Sequence, residues 1–292
     1  MLRGLCRDIV LVDSDPVLAA AEAADLSDAN ALARPVRIWA GSYADTASAG
    51  IAVLTAGAAT HGTESRLSVA SRNAAIVDQC TADLVESGFD GIILVAANPV
   101  DLMTRVAQSR AGLPPGRVLG TGTLLDTSRL RQALAARLDV APASVEAMVL
   151  GEHGDSEVAA FSTVRIGGLG VDAFADGGSP FDRRAIVAEV RDAAYRIVSG
   201  KGYTSFGVAT AIVRICEAIL RDERVALPVS TLLTGQFGIH GICLSLPCIL
   251  GAGGVERIIE PAIDGQERAE LNVSAETLRR AWQTLNQPKT SD

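Results

Sequence analysis

Apolar runs alternate with longer stretches of helical periodicity through the first 120 residues. The runs lie at residues 8–13, 50–56 and 91–97, and the last contains the uninterrupted series Ile-Ile-Leu-Val-Ala-Ala. Short continuous apolar runs between helices are typical of parallel strands that are covered on both faces. The pattern therefore predicts an α/β fold built on a doubly wound open parallel sheet.

The pattern changes after Gly120. A helix that carries Asp126 and Arg129 comes first, and alternating segments near residues 159–166 predict antiparallel strands. The remaining predicted elements are helices at about 181–199 and 204–222, strands at 227–233 and 242–250, a hairpin turn at 251–254 and an amphipathic helix at about 274–287. We therefore divide the chain into a first domain, residues 1–121, and a second α+β domain, residues 122–292.

The composition narrows the classes of function. The chain has 48% hydrophobic residues, 4% aromatic residues and a formal net charge of −8. This acidic balance argues against nonspecific binding to nucleic acid or to anionic membranes, and no apolar run reaches the roughly 18 residues of a membrane span. Its five cysteines show no C-x-x-C spacing, so they predict reduced thiols of a cytoplasmic protein and no metal site.

Residues 150–156, Leu-Gly-Glu-His-Gly-Asp-Ser, carry the strongest candidate for chemistry. His153 is one of three histidines, and it lies between Gly151 and Gly154 directly after an apolar run. A tight turn at a strand end can hold an imidazole, whose pKa is near neutral, toward a ligand. A histidine beside glycine is by itself more often an ordinary loop residue, so the interpretation depends on matching residues elsewhere.

Other positions supply further candidates. Asp13 ends the first apolar run and is the residue type that accepts hydrogen bonds from the ribose hydroxyls of a bound adenosine, with a helix cap or loop acid as the alternative. Gly57 ends the second run and permits close approach of the backbone to a cofactor. Asp126 and Arg129 are three residues apart and share a helix face, so an exposed ion pair is their alternative interpretation.

Several short motifs occur in the order found in the L-lactate/L-malate dehydrogenase family, and the chain resembles that family along nearly its whole length. The motifs are Val12-Asp13, Gly57-Ala58, Glu64-Ser65-Arg66, Asn98-Pro99-Val100-Asp101, Leu125-Asp126-Thr127-Ser128-Arg129, Gly151-Glu152-His153-Gly154-Asp155-Ser156 and Lys201-Gly202-Tyr203-Thr204. Jointly they are highly specific, whereas singly only the His153 block is. On the lactate side of the family, the resemblance implies a cytoplasmic, homotetrameric, NAD-dependent L-2-hydroxy-acid dehydrogenase that interconverts pyruvate and L-lactate.

The resemblance also implies a role for each candidate residue. His153 would be the general acid and base, Asp126 would orient it and raise its pKa, and Arg66 on a closing lid would polarise the ketone. The substrate-binding positions would be Arg129, Asn98, Thr204 and Thr60. The NAD-binding positions would be Asp13, Gly57, Ala58, Asn98 and Val208.

The front of the chain departs from the family pattern. A G-x-G-x-x-G turn precedes the ribose acid by about 20 residues in a dinucleotide-binding unit, yet Gly4 is the sole glycine before Asp13. We therefore predict an N-terminally incomplete Rossmann domain, in which a missing central strand leaves one edge of the Asp13 strand and one edge of the strand at 50–56 unpaired. One explanation is a shortened gene model or a fragment of a normal enzyme. The alternative is a catalytically inactive subunit that binds a 2-oxo acid or a partner chain.

Thr60 is a second departure from the pattern. Lactate enzymes of the family commonly carry Gln at this lid position, and malate enzymes carry Arg. Threonine disfavours a second carboxylate on the substrate and leaves room for a 2-oxo acid larger than pyruvate. We rank pyruvate and L-lactate first and keep a larger 2-oxo acid as the alternative.

Overall fold

Helices and strands alternate through the computed structural model, which describes residues 1–58, 66–175 and 182–287. The described helices are α1 (Pro16–Asp28), α2 (Arg66–Glu86), α3 (Val100–Ala111), α4 (Leu124–Leu138), α5 (Val171–Phe174), α6 (Arg183–Lys201), α7 (Phe206–Leu220) and α8 (Gly265–Leu285). The described strands are β1 (Asp8–Leu11), β2 (Arg37–Ala40), β3 (Ile51–Leu54), β4 (Ile92–Val95), β5 (Val118–Gly120), β6 (Val145–Glu146), β7 (Val149–Leu150), β8 (Val158–Ala159), β9 (Arg165–Ile166), β10 (Leu169–Gly170), β11 (Val225–Thr234), β12 (His240–Gly251) and β13 (Gly254–Ile258).

A six-stranded sheet with the order β13-β12-β11-β5-β4-β3 forms the centre of the structure. Strands β3, β4 and β5 are parallel, and β4 is buried along its whole length. Its side chains alternate between two cores: Ile93 and Val95 pack with α3 and α8, whereas Ile92 and Leu94 pack with α7. The structure thus confirms the buried parallel strand predicted from the continuous apolar run.

The antiparallel strands of the second half extend this same sheet. Strand β11 pairs with β5 through Ser230 and Gly120, then with β12, which in turn pairs with β13. Strand β5 also packs closely against α3, since a Cβ at Gly120 would lie 2.3 Å from Oγ1 of Thr104, which a side chain could not accommodate without displacing its neighbours. Antiparallel pairing of β12 with β13 confirms the hairpin turn predicted at residues 251–254.

The first two strands form a separate parallel pair, β1 with β2. Within the described residues β1 has no partner on its other side, and β3 is paired with β4 alone. These free edges belong to the two strands for which the sequence predicted an unpaired edge. Val53 in β3 is 37% exposed, whereas all of β4 is buried, so β3 has the exposure of an edge strand.

The closing helix α8 is longer than predicted. It begins at Gly265 rather than near residue 274, because Asp264 and Glu267 form a capping box that satisfies backbone N–H groups of the first turn. The prediction followed apolar periodicity, which the polar first turns of the helix do not display. The longer helix places Ser274 in its middle, fully buried, where it contacts the loop that carries His153.

None of the described helices is both long and apolar enough to cross a membrane. Nowhere in the three described ranges do three or more His, Cys, Asp or Glu side chains gather in a way that could hold a metal ion. All five cysteines are free thiols.

Candidate active site

The loop between β7 and β8 carries His153 and is held by two distant elements. Gly151 exchanges backbone hydrogen bonds with Ser245 of β12, 3.0 Å in each direction, and the amide of Glu152 donates to Oγ of Ser274 in α8 at 2.8 Å. Gly151 has a φ of +90°, and a Cβ there would lie 2.8 Å from the same Oγ atom. The turn therefore requires glycine at this position, as the sequence pattern suggested.

His153 and Asp126 form a hydrogen-bonded pair. The imidazole Nδ1 atom lies 2.5 Å from Oδ2 of Asp126, and the other carboxylate oxygen accepts from Nη1 of Arg129 at 2.7 Å. Side-chain exposure is 3% for Asp126, 16% for Arg129 and 27% for His153. The helical spacing of Asp126 and Arg129 correctly placed them on one face of α4, but the pair is buried rather than a solvated surface ion pair.

Electrostatics of the pair favour a charged imidazole. Burial alone would lower the pKa of His153, but the hydrogen bond and charge of Asp126, with the charges of Asp101 and Glu157, raise it to about 9. Burial opposes ionisation of Asp126 as well, yet the pKa of that carboxyl is lowered by its hydrogen bond with His153 and by the charges of His153 and Arg129. The two groups stabilise each other in the ionised form.

Glu157 is a further acid beside this pair. Burial and the charge of Asp126 raise the pKa of Glu157 to about 8, while the positive charges of His153, Arg129 and Arg191 act in the opposite direction. Sequence reasoning missed this residue because it lies just beyond the motif. The available signal was its position four residues after His153 in the same loop.

The ends of β3 and β4 are joined by an asparagine that the sequence analysis also missed. Asn73 of α2 is 4% exposed; its side-chain amide donates to the carbonyl of Asn98 at 2.7 Å and accepts from the amide of Ala58 at 2.7 Å. Three of the predicted ligand-binding positions, Gly57, Ala58 and Asn98, are therefore tied together at the carboxyl ends of two parallel strands. No sequence pattern indicated this residue, because its burial and its two partners follow from the fold.

Two other predicted positions belong to the start of α7 and the residues before it. Thr204 is exposed and Val208 is half-buried, and both lie around the start of α7. That start packs against α4, because a Cβ at Gly207 would lie 3.1 Å from the Leu125 side chain. Since Leu125 adjoins Asp126, the structure places this segment beside the helix turn that holds His153.

Asp13 lies just beyond β1, which belongs to the separate two-stranded sheet. Its carboxylate is exposed and accepts from the backbone amide of Asp15 at 2.9 Å and from the hydroxyl of Ser14 at 3.4 Å. Asp15 then caps α1, so the helix-cap role belongs to Asp15 and not to Asp13. Thr60 lies outside the described residues, and the side chain of Arg66, the first residue of α2, is likewise not among the described side chains.

Both halves of the chain match domains of one known protein family. Residues 1–120 match the lactate/malate dehydrogenase NAD binding domain, and residues 123–287 match the lactate/malate dehydrogenase alpha/beta C-terminal domain. The chain belongs to the lactate/malate dehydrogenase family.

Individual members of the lactate/malate dehydrogenase family are similar to the chain over nearly its whole length. An L-lactate dehydrogenase from Thermus aquaticus is 43% identical over 289 residues, covering 98% of this chain and 93% of that protein. One from Priestia megaterium is 41% identical over 281 residues, covering 95% and 88%. The crystal structure of a minor L-lactate dehydrogenase from Enterococcus mundtii in its ligands-bound form has a TM-score of 0.95 and 37% identity, covering 98% and 93%.

We expect Asp126→Asn to lower the pKa of His153 from about 9 by about 1–3 units, because the nearest opposite charge is lost while burial remains. The measurement is an NMR titration of the imidazole protons in the purified chain. The control variant is Asp155→Asn, which removes an exposed carboxylate from the same loop and should leave the pKa of His153 unchanged because solvent screens that charge. An unchanged titration of His153 would contradict the electrostatic account.

Proposed function

We propose that this chain reduces pyruvate to L-lactate with NADH, and catalyses the reverse reaction, with His153 as the general acid and base. The observation that carries the proposal is the buried Asp126 carboxylate, which engages the imidazole through one oxygen and the Arg129 guanidinium through the other. A proton donor that can also take the proton back and a cation that binds a carboxylate are the two groups that 2-oxo-acid reduction needs. The similar proteins named L-lactate dehydrogenase support the substrate class.

The residues present fit NAD at the ends of the parallel strands. The exposed carboxylate of Asp13 is suited to ribose hydroxyls, and Gly57, Ala58 and Asn98 lie together where β3 and β4 end. Val208 would provide an apolar contact for the nicotinamide ring. Bound NADH supplies the hydride, and the chain's own side chains bind the substrate, orient it and handle the proton.

His153 would move that proton through Nε2. Its Nδ1 atom is committed to Asp126, so Nε2 is the nitrogen left to face the substrate oxygen. In pyruvate reduction the imidazolium donates its proton to the oxygen of the former ketone, and in lactate oxidation the neutral imidazole accepts it. Asp126 stabilises the charged ring and fixes its orientation in both directions.

Arg129 would bind the substrate carboxylate. One of its N–H groups donates to Asp126, and a guanidinium has five, so two parallel hydrogen bonds to a carboxylate remain available. We further propose that Asn98 and Thr204 line the pocket and that Arg66 polarises the ketone from the segment that includes Thr60. Threonine at position 60 favours pyruvate over a substrate with a second carboxylate.

The purified chain should oxidise NADH in the presence of pyruvate, with a kcat/KM at least tenfold higher than for oxaloacetate. Absorbance of NADH measures the rate, and calorimetry measures NADH binding directly.

As a matched variant, Arg129→Lys keeps the charge but loses the two-pronged geometry, so the KM for pyruvate should rise by about 10–100-fold.

Two results would overturn the proposal in different ways. Failure to bind NADH would favour the alternative of a catalytically inactive subunit. A higher kcat/KM for a bulkier 2-oxo acid than for pyruvate would favour a dehydrogenase for that larger substrate.

We also propose a cytoplasmic homo-oligomer, as a tetramer, and the surface of α6 and α7 supports self-association. Large apolar side chains are exposed there in the single chain, among them Ile197 at 42%, Val198 at 45% and Phe206 at 82%. Exposed apolar patches of this kind commonly mark a surface that a partner chain covers. Sedimentation velocity at micromolar concentration should show one species of four chains. A monomer over the whole concentration range would contradict this assembly.

A further inference from the structure

A second carboxylate reaches His153 from a different helix. Asp101 lies in the first turn of α3 and is 2% exposed. Its Oδ2 atom accepts a hydrogen bond of 2.8 Å from the backbone N–H of His153. Asp126 therefore holds the imidazole ring while Asp101 holds the backbone of the same residue.

The other carboxylate oxygen of Asp101, Oδ1, lies near the hydroxyl of a serine in β11. Within the described part of the chain, Oδ1 is buried without a hydrogen-bond partner, and so is Oγ of Ser230 in β11. The Ser230 hydroxyl nevertheless interacts with this carboxyl and lowers its pKa. The buried carboxylate is thus stabilised by the His153 N–H, the Ser230 hydroxyl and the charge of His153, while its burial opposes ionisation.

The groups around Asp101 form a small electrostatic network. Burial and the charge of Glu152 raise the pKa of Asp101, the Ser230 hydroxyl and His153 lower it, and the net result is a pKa of about 6. Cys243 of β12 also responds to this carboxyl: burial and the charge of Asp101 both raise the pKa of the thiol, while Arg105 lowers it. The charge of Asp101, together with that of Asp126, raises the pKa of His153. Above about pH 6 the carboxyl is ionised, and below about pH 9 the imidazole is protonated.

We propose that Asp101 is a positioning residue for the reaction, which fixes the backbone of His153 and whose negative charge favours the protonated imidazole. The alternative is a purely structural role as a hydrogen-bond acceptor for the loop. The two roles differ in whether the charge matters. Only the kinetic consequence of this inference rests on the proposed function.

Asp101→Asn separates the charge from the hydrogen bond, because the amide oxygen can still accept from the His153 N–H. In the purified chain without cofactor or substrate, we expect the NMR-measured pKa of His153 to fall by about one unit, as for loss of a nearby charge. Asp155→Asn is the matched control: it removes an exposed carboxylate from the same loop, whose effect solvent screens. The same pKa for His153 in Asp101→Asn as in the parent would overturn the proposal.

The pH dependence of kcat/KM distinguishes the electrostatic role of Asp101 from a purely structural one. Near pH 8.5, kcat/KM for pyruvate reduction should fall about threefold in Asp101→Asn, whereas near pH 6.5 it should be unchanged because His153 is protonated in both proteins. A loss of equal size at both pH values would indicate a merely structural role. Since the NMR titration needs neither NADH nor pyruvate, failure of the proposed function would not be mistaken for failure of this inference.

Ser230→Ala provides a second variant that retains every charge. Loss of the hydroxyl should raise the pKa of Asp101, so the acid inflection that Asp101 imposes on the His153 resonances moves upward from about pH 6. If the His153 resonances show no such inflection in either the parent or Ser230→Ala, the proposal is contradicted, even if Asp101→Asn does not fold.

Discussion

A buried carboxylate with two cationic partners is the interaction on which the site depends. Asp126 is 3% exposed, and its oxygens engage His153 at 2.5 Å and Arg129 at 2.7 Å. Removing one partner from such a buried pair typically costs about 3–5 kcal/mol, because an uncompensated charge remains. A surface pair such as Arg37 with Asp8 contributes at most about 1 kcal/mol. Loss of a partner at the candidate active site should therefore lower the free energy of unfolding more than loss of this surface ion pair.

The geometry of that interaction is set by elements that are distant in sequence. The loop of His153 is fixed by Ser245 of β12, Ser274 of α8 and Asp101 of α3. Because β4 and the core around it are covered by helices on both faces, the ends of these elements have little freedom to shift. A histidine flanked by glycines, which would be mobile in isolation, thus acquires a fixed position.

The sequence predicted the parts of the structure that depend on local pattern. The uninterrupted apolar run at residues 91–97 predicted a buried parallel strand, and the spacing of Asp126 and Arg129 predicted their shared helix face. The unpaired edges of β1 and β3 followed from comparing the glycine-poor front with the family pattern. Each of these inferences needs only neighbouring residues or a motif.

Contacts between distant segments were beyond such reasoning. Asn73 joins Ala58 to Asn98, and Ser274 bonds to the amide of Glu152 across 122 residues of sequence. Pairing of His153 with Asp126 was reached through the family resemblance and not through spacing. The early start of α8 was missed because a polar capping box, rather than apolar periodicity, begins the helix.

The pH dependence of pyruvate reduction tests the central claim, that Asp126 keeps His153 protonated as the acid of the reaction. With NADH saturating, kcat/KM should stay level through neutral pH and decline with a pKa of about 9, the value for the paired imidazole. A decline centred on 6.5, the ordinary value for histidine, would show that the buried carboxylate does not set the protonation state of His153. That result would contradict the account.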